Sequence, residues 1–161
     1  MPVSLNGKNL NNSSIGIELV NNGHEFGYQS YTNKQINSLI KLCKKLMKKY
    51  NIKSENYLGH SDIAPFRKID PGEKFPWKKL SLHKIGNWFQ AKPVKFVSKT
   101  KKIEELFFKN LYKIGYRYFS ITRRKKIDKY VVKAFQRRYL PNNVNGKIDK
   151  KTFKISYFLT H

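Results

Sequence analysis

The sequence predicts an α/β domain followed by a small all-helical domain, and three patterns indicate this order. A β-branched apolar run at residues 15–20 is typical of a central strand. Apolar residues then recur at helical spacing over residues 35–50, which predicts an amphipathic helix. Beyond residue 102 only helical patterns remain, so we expect a separate domain there. Hydrophobic residues make up 39% of the 161 positions, enough for a packed core.

The first domain is predicted to span residues 1–90. A second short strand is expected at residues 56–59, ahead of a loop with two prolines and a glycine that runs to residue 74. Thr32 or Asn33 should cap the helix over residues 35–50. The one cysteine, Cys43, lies on the apolar face of that helix, which predicts a buried, inert thiol. A short helix is expected over residues 77–80.

Residues 91–101 lack periodicity and are predicted to form a linker to a second domain, residues 102–161. Three apolar stripes predict three short helices in that domain. The first stripe stops at Gly115, the second includes Val131 and Phe135, and Asp149 can cap the third helix. Roughly 60 residues in three helices suffice for a small domain.

The charge is strongly positive, with 34 Lys and Arg against 10 Asp and Glu. Three interpretations remain open: nucleic-acid binding, attraction to an anionic polymer such as cell wall or to a membrane surface, and a general bias toward Lys and Asn. The lysines are spread along the chain, which favours the bias. Because no recognition helix or stacking array accompanies the charge, we expect no specific nucleic-acid partner.

The sequence shows neither a membrane span nor a signal peptide. No apolar run approaches the length of a transmembrane helix. The first residues lack a basic segment followed by an apolar one. A cytoplasmic location is therefore one expectation from the residues alone.

The loop at residues 59–72 brings together the residue types of a metal site. His60 follows the second predicted strand, and Lys68 and Asp70 lie further along the same loop. Zn²⁺ accepts neutral imidazole and carboxylate, and catalytic zinc sites use about three protein ligands and an open position. In an arbitrary protein, a histidine and an aspartate at this spacing are more often surface residues. Asp62, two residues after His60, is expected to cap the turn that follows it.

The letters of this loop, GHSDIAPFRKIDPG, resemble the amidase-2 family, the zinc amidases of the AmiD and AmpD type, whose signature is G-H-x-D-I-A-P-x-R-K-x-D-P-G. Residues 11–20 resemble the family's S-I-G-I-E strand, and residues 75–77 its F-P/D-W segment. The resemblance implies a mixed sheet flanked by helices and N-acetylmuramoyl-L-alanine amidase activity. It implies His60 and Asp70 as Zn²⁺ ligands, Glu18 as general base and Lys68 as the residue that stabilises the oxyanion.

Residues 102–161 resemble the three-helix peptidoglycan-binding module attached to AmiD-type amidases. The match consists of A-F-Q-R-R-Y at residues 134–139, Pro141, and N-G-K-I-D at residues 145–149. This resemblance implies peptidoglycan or muropeptides as partners. It favours the cell envelope or periplasm for the full-length family member, and it implies that the helical domain tethers the catalytic one to its substrate.

The family's first zinc-ligating histidine precedes the S-I-G-I-E strand, and the chain shows no counterpart. His24 is the nearest substitute, and His83 and His161 are poorer candidates. We therefore expect an amidase lacking its N-terminal strands, with an incomplete sheet and little activity as the isolated chain. The alternative is an inactive remnant that binds peptidoglycan.

Overall fold

The computed structural model of the chain describes residues 13–93 and 100–161. Packing divides the chain into two compact units. The first unit comprises Met1–Leu58 and Lys74–Asn87, and the second comprises Gly59–Glu73 and Trp88–His161. The loop that carries His60 therefore belongs to the same compact unit as the C-terminal helices.

The described residues form six α-helices and two longer 3₁₀ turns. The helices are α1 (Asn33–Tyr50), α2 (His60–Ile63), α3 (Trp77–Ser81), α4 (Thr100–Ile114), α5 (Lys129–Tyr139) and α6 (Lys150–Phe158). The 3₁₀ turns are Ser54–Asn56 and Lys126–Asp128. No helix in this part of the chain is both long and apolar enough to cross a membrane.

Helix α1 confirms the prediction from periodicity. The Thr32 hydroxyl accepts a hydrogen bond from the Gln35 backbone N–H, and the Gln35 side chain accepts one from the Thr32 N–H, so the two residues form a capping box. The apolar face buries Ile36, Leu39, Ile40 and Cys43. Burial raises the pKa of the Cys43 thiol, as expected for an inert cysteine.

The predicted mixed sheet is wrong for the described residues, which contain no strand. Residues 15–20 lack a ladder partner among them, and Val20 is 88% exposed. The Val20 carbonyl instead accepts a hydrogen bond from the Gln35 side chain. The second predicted strand is replaced in part by the turn Ser54–Asn56. A β-branched run becomes a strand only where a neighbouring backbone pairs with it.

The second unit is built on an aromatic core between α4, α5 and α6. Phe107 and Phe135 meet edge to face, with ring centroids 5.3 Å apart. Each is fully buried, together with Leu111 and Val131. Asp149 caps α6 by accepting a hydrogen bond from the Thr152 N–H at 2.7 Å. The three helices predicted from the C-terminal pattern are confirmed.

Gln136, within the A-F-Q motif, orders the turn between α5 and α6. Its side-chain oxygen accepts hydrogen bonds from the backbone N–H groups of Asn145 and Gly146, at 3.1 and 2.7 Å. Its amide nitrogen donates to the Lys147 carbonyl. Gly146 has a φ of +77°, and an added Cβ would lie 3.2 Å from a backbone oxygen of α5. Gln136 of the motif therefore has a structural role here.

The proposed division at residues 90 and 101 stays a prediction. Most of the predicted linker falls on residues 94–99, which lie outside the described residues, and α4 begins directly after them.

Candidate metal site on the second unit

The structure brings His60 and Asp70 together. The imidazole Nδ1 of His60 lies 3.1 Å from the carboxylate Oδ2 of Asp70. A backbone hydrogen bond of 2.9 Å from the Ser61 N–H to the Asp70 carbonyl holds the two ends of the loop side by side. Both side chains are partly open to solvent, 38% and 57% exposed. The two donors therefore form an accessible pair.

The spacing of this pair suits zinc. Two donors at about 2.0–2.2 Å from a tetrahedral Zn²⁺ lie about 3.3–3.5 Å apart, from the geometry of the tetrahedron. The observed 3.1 Å agrees to within a few tenths of an ångström. Imidazole nitrogen and carboxylate oxygen are both ordinary zinc donors. Without a metal, the same two groups can share a hydrogen bond, so the geometry accommodates both arrangements.

A third protein donor does not join this pair within residues 13–93 and 100–161. No cluster of three or more His, Cys, Asp or Glu side chains able to hold a metal occurs there. His24 stacks on Tyr28, with ring centroids 4.2 Å apart, in the first unit. His161 stacks on Tyr157. The described donors thus supply two of the three ligands that a catalytic zinc commonly has.

The two predicted catalytic residues lie in different units. Lys68 is half-buried in the loop between His60 and Asp70, where its backbone N–H donates to the Ala64 carbonyl. Glu18 is an exposed residue of the first unit, in a segment without regular secondary structure. The assignment of both residues as catalytic stays a prediction.

The expectation that Asp62 caps the turn after it is wrong, because its carboxylate instead bonds to the backbone before it and to the side chains of Arg138 and Tyr116. Its Oδ2 atom accepts hydrogen bonds from the Gly59 N–H at 2.9 Å and from Arg138 Nη1 at 2.6 Å. Its Oδ1 atom accepts one from the Tyr116 hydroxyl at 2.6 Å. Asp62 and Arg138 are each 4% exposed. The sequence interpretation missed this buried cluster, because Arg138 is one of four basic residues in α5 and no local pattern distinguishes it.

Comparison with known proteins agrees with the loop chemistry. Residues 4–73 match the family model described as N-acetylmuramoyl-L-alanine amidase. This stretch belongs to the amidase-2 family. It contains Glu18, His60, Lys68 and Asp70.

Relatives of this amidase segment extend the similarity along the chain. The N-acetylmuramoyl-L-alanine amidase AmiD of Escherichia coli (strain K12) is 36% identical over 161 residues, covering 91% of this chain and 56% of AmiD. The 1,6-anhydro-N-acetylmuramyl-L-alanine amidase AmpD of Enterobacter cloacae is 41% identical over 70 residues, covering 44% of this chain and 35% of AmpD. The chain thus spans about half the length of AmiD.

A solved structure from another bacterium is similar to most of this chain. It is AmpDh3 from Pseudomonas aeruginosa, in complex with an anhydromuramic pentapeptide. The TM-score is 0.79 at 32% identity, and the match covers 93% of this chain and 62% of AmpDh3. The similarity therefore includes the C-terminal helices as well as the amidase segment.

Electrostatics favour a neutral tyrosine and a charged arginine around Asp62 of the amidase segment. Burial, and then the negative charge of Asp62, raise the pKa of Tyr116 well above its usual value, so this hydroxyl keeps its proton and donates it. Burial alone would lower the pKa of Arg138, but Tyr139, Asp62 and Tyr116 raise it overall. The cluster therefore consists of one ion pair and one neutral donor.

The raised pKa of Tyr116 predicts a loss of stability in alkali. Below about pH 10, the Tyr116 hydroxyl keeps its proton in both the folded and the unfolded chain. In that range its hydrogen bond to Asp62 contributes fully to the free energy of unfolding. Above that pH the unfolded chain loses the proton first, so stability should fall by up to about 1.4 kcal/mol per pH unit until the folded-state pKa is reached. Urea unfolding of the wild type and Tyr116→Phe should show their stability difference shrinking above about pH 10. A difference that stays constant would contradict the assignment.

Proposed function

We propose that the protein is a zinc-dependent N-acetylmuramoyl-L-alanine amidase, which hydrolyses the amide between the lactyl group of N-acetylmuramic acid and L-alanine. The observation that carries this proposal is the His60–Asp70 pair, 3.1 Å apart within a segment of the amidase-2 family. The similar AmpDh3 structure contains a bound anhydromuramic pentapeptide, which supports a muropeptide as the substrate.

In this proposal, His60 and Asp70 hold the zinc. When bound, zinc would supply Lewis acidity that polarises the substrate carbonyl and makes water more acidic. Glu18 would take the proton from the attacking water. Lys68 would stabilise the negative charge that develops on the carbonyl oxygen, a contribution of about 3–4 kcal/mol for one well-placed donor. The C–N bond then breaks, and the proton passes to the departing L-alanine amine.

The test is hydrolysis of a muramoyl tripeptide by the full chain over a range of zinc concentrations. Because two protein donors hold zinc less firmly than three, we expect little peptide release at stoichiometric zinc and more in excess zinc. A chelator should abolish it. Peptide release that a chelator leaves unchanged, or none at any zinc concentration, would contradict the proposal.

A second candidate function follows from the two-donor site, namely peptidoglycan binding by residues 102–161 without turnover. This candidate rests on the resemblance of the C-terminal helices to a wall-binding module, and it favours the cell envelope as the location. Sedimentation with insoluble peptidoglycan, with and without chelator, separates the candidates. Binding that ignores chelator, in a chain that releases no peptide, would favour the second.

A further inference from the structure

A buried ion pair links the metal-site loop to the C-terminal helices. Helix α2, the single turn that begins with His60, packs against α5. Asp62 on α2 binds Arg138 on α5 and Tyr116 just after α4, each at 2.6 Å. Arg138 is separated from Asp62 by 76 positions in the sequence, and both are almost fully buried. A domain that served only as a flexible tether would not need such a contact.

Asp62 is also tied directly to the backbone that carries the two donors. Its carboxylate accepts a hydrogen bond from the Gly59 N–H, immediately before His60. The Ser61 N–H, between His60 and Asp62, donates to the Asp70 carbonyl. Arg138 on α5 is therefore connected through Asp62 and the short backbone segment Gly59–Asp62 to both proposed ligands.

We propose that Arg138 and Tyr116 are positioning residues for the metal site, and that the C-terminal helices orient the His60–Asp70 pair through them. The inference rests on the proposed role of that pair as zinc ligands. Arg138 neutralises the buried carboxylate and Tyr116 fixes its second oxygen, so α2 has one orientation. Groups that orient metal ligands in this way typically change metal affinity about 10–100-fold when removed.

A second contact between the metal-site loop and the segment after α4 supports the proposal. The ring of Phe66, in the loop between His60 and Asp70, meets the ring of Tyr118 edge to face, with centroids 6.5 Å apart. Tyr118 follows Tyr116 by two residues. The segment after α4 therefore contacts the loop at two places, one polar and one aromatic.

The sharpest variant is Tyr116→Phe, because it removes one hydrogen bond to Asp62 and keeps the ion pair with Arg138. Arg138→Lys is the conservative partner, since it keeps the charge. Gln136→Leu is the matched control: Gln136 is buried in the same helix as Arg138, but its hydrogen bonds go to the turn between α5 and α6 and to Thr152 on α6. It should destabilise the helices without acting on Asp62.

Two measurements on the full chain test the positioning role of Arg138 and Tyr116. In zinc-free Tyr116→Phe, hydrogen exchange of the amides at residues 59–64 should quicken, relative to wild type, about tenfold more than exchange of the amides in α4–α6 does. Zinc affinity, measured by competition with a chromophoric chelator, should fall about tenfold. Arg138→Lys should retain part of the protection of the loop amides from exchange and part of the zinc affinity. Gln136→Leu should quicken exchange in the helices without singling out the loop.

Unchanged loop exchange in Tyr116→Phe, or the same loop-selective change in Gln136→Leu, would overturn the positioning role. Loop exchange as predicted with zinc affinity unchanged would overturn it too. If the wild-type chain binds no zinc at any concentration, the proposed function fails instead. Hydrogen exchange in zinc-free protein still decides whether Arg138 and Tyr116 order the loop.

Discussion

Replacing Arg138 with methionine should lower the free energy of unfolding of the second unit by about 3–5 kcal/mol. The Asp62 carboxylate is buried, and Arg138 is the cation that compensates it, with 2.6 Å between Nη1 and Oδ2. Methionine preserves most of the side-chain volume, so the loss reflects the uncompensated charge more than a cavity. Urea unfolding followed by circular dichroism measures the change.

A double-mutant cycle isolates this interaction. Asp62→Asn with Arg138→Met removes both charges, so the double variant should be more stable than the sum of the single changes predicts. The control is Glu105→Gln, which breaks the exposed Glu105–Lys109 pair on α4 and should cost no more than about 0.5 kcal/mol. A similar small loss for Arg138→Met would show that the buried pair contributes little.

Replacing His60 with alanine should reduce zinc affinity by about 100-fold or more. Residues that only orient a ligand already change affinity by about 10–100-fold, and His60 is a proposed ligand itself. Asp70→Asn should weaken binding as well, because it replaces a charged oxygen donor with a neutral one. Any zinc-dependent release of peptide from a muramoyl tripeptide should disappear in both variants. Isothermal titration and the hydrolysis assay measure the two effects.

His83→Ala is the matched control for this experiment. His83 is a histidine of the first unit, just after α3, and should leave zinc affinity and turnover unchanged. If His60→Ala and His83→Ala weaken zinc binding equally, the zinc is held nonspecifically and the assignment of His60 fails.

The helices could be predicted because their signals are local. The apolar spacing that buries Ile36, Leu39 and Ile40, and the cap at Thr32, all lie within a few residues of one another. Asp149, at the start of α6, is a second such case. A helix satisfies its backbone within its own segment, so a short window of sequence contains most of the information.

The sheet could not be predicted in the same way, because a strand depends on its neighbours. Residues 15–20 have strand-like composition, but they have no ladder partner in the described chain, and Val20 is exposed. Composition reports only what a segment could do if another backbone paired with it.

The candidate site contains one feature that the sequence predicted and one that it did not. The loop from His60 to Asp70 was recognisable because its residues are close in sequence and match a family signature. The partnership of Asp62 with Arg138 joins residues 76 positions apart, so no local pattern encodes it. Asp62 is a good turn former by itself, which is why the sequence interpretation stopped at the turn.

The most direct test of the proposed metal site is anomalous diffraction from crystals of the full chain grown with zinc. The proposal predicts one strong zinc peak about 2.0–2.2 Å from an imidazole nitrogen of His60 and a carboxylate oxygen of Asp70. A zinc peak on other side chains, with His60 and Asp70 paired to each other and free of metal, would contradict it.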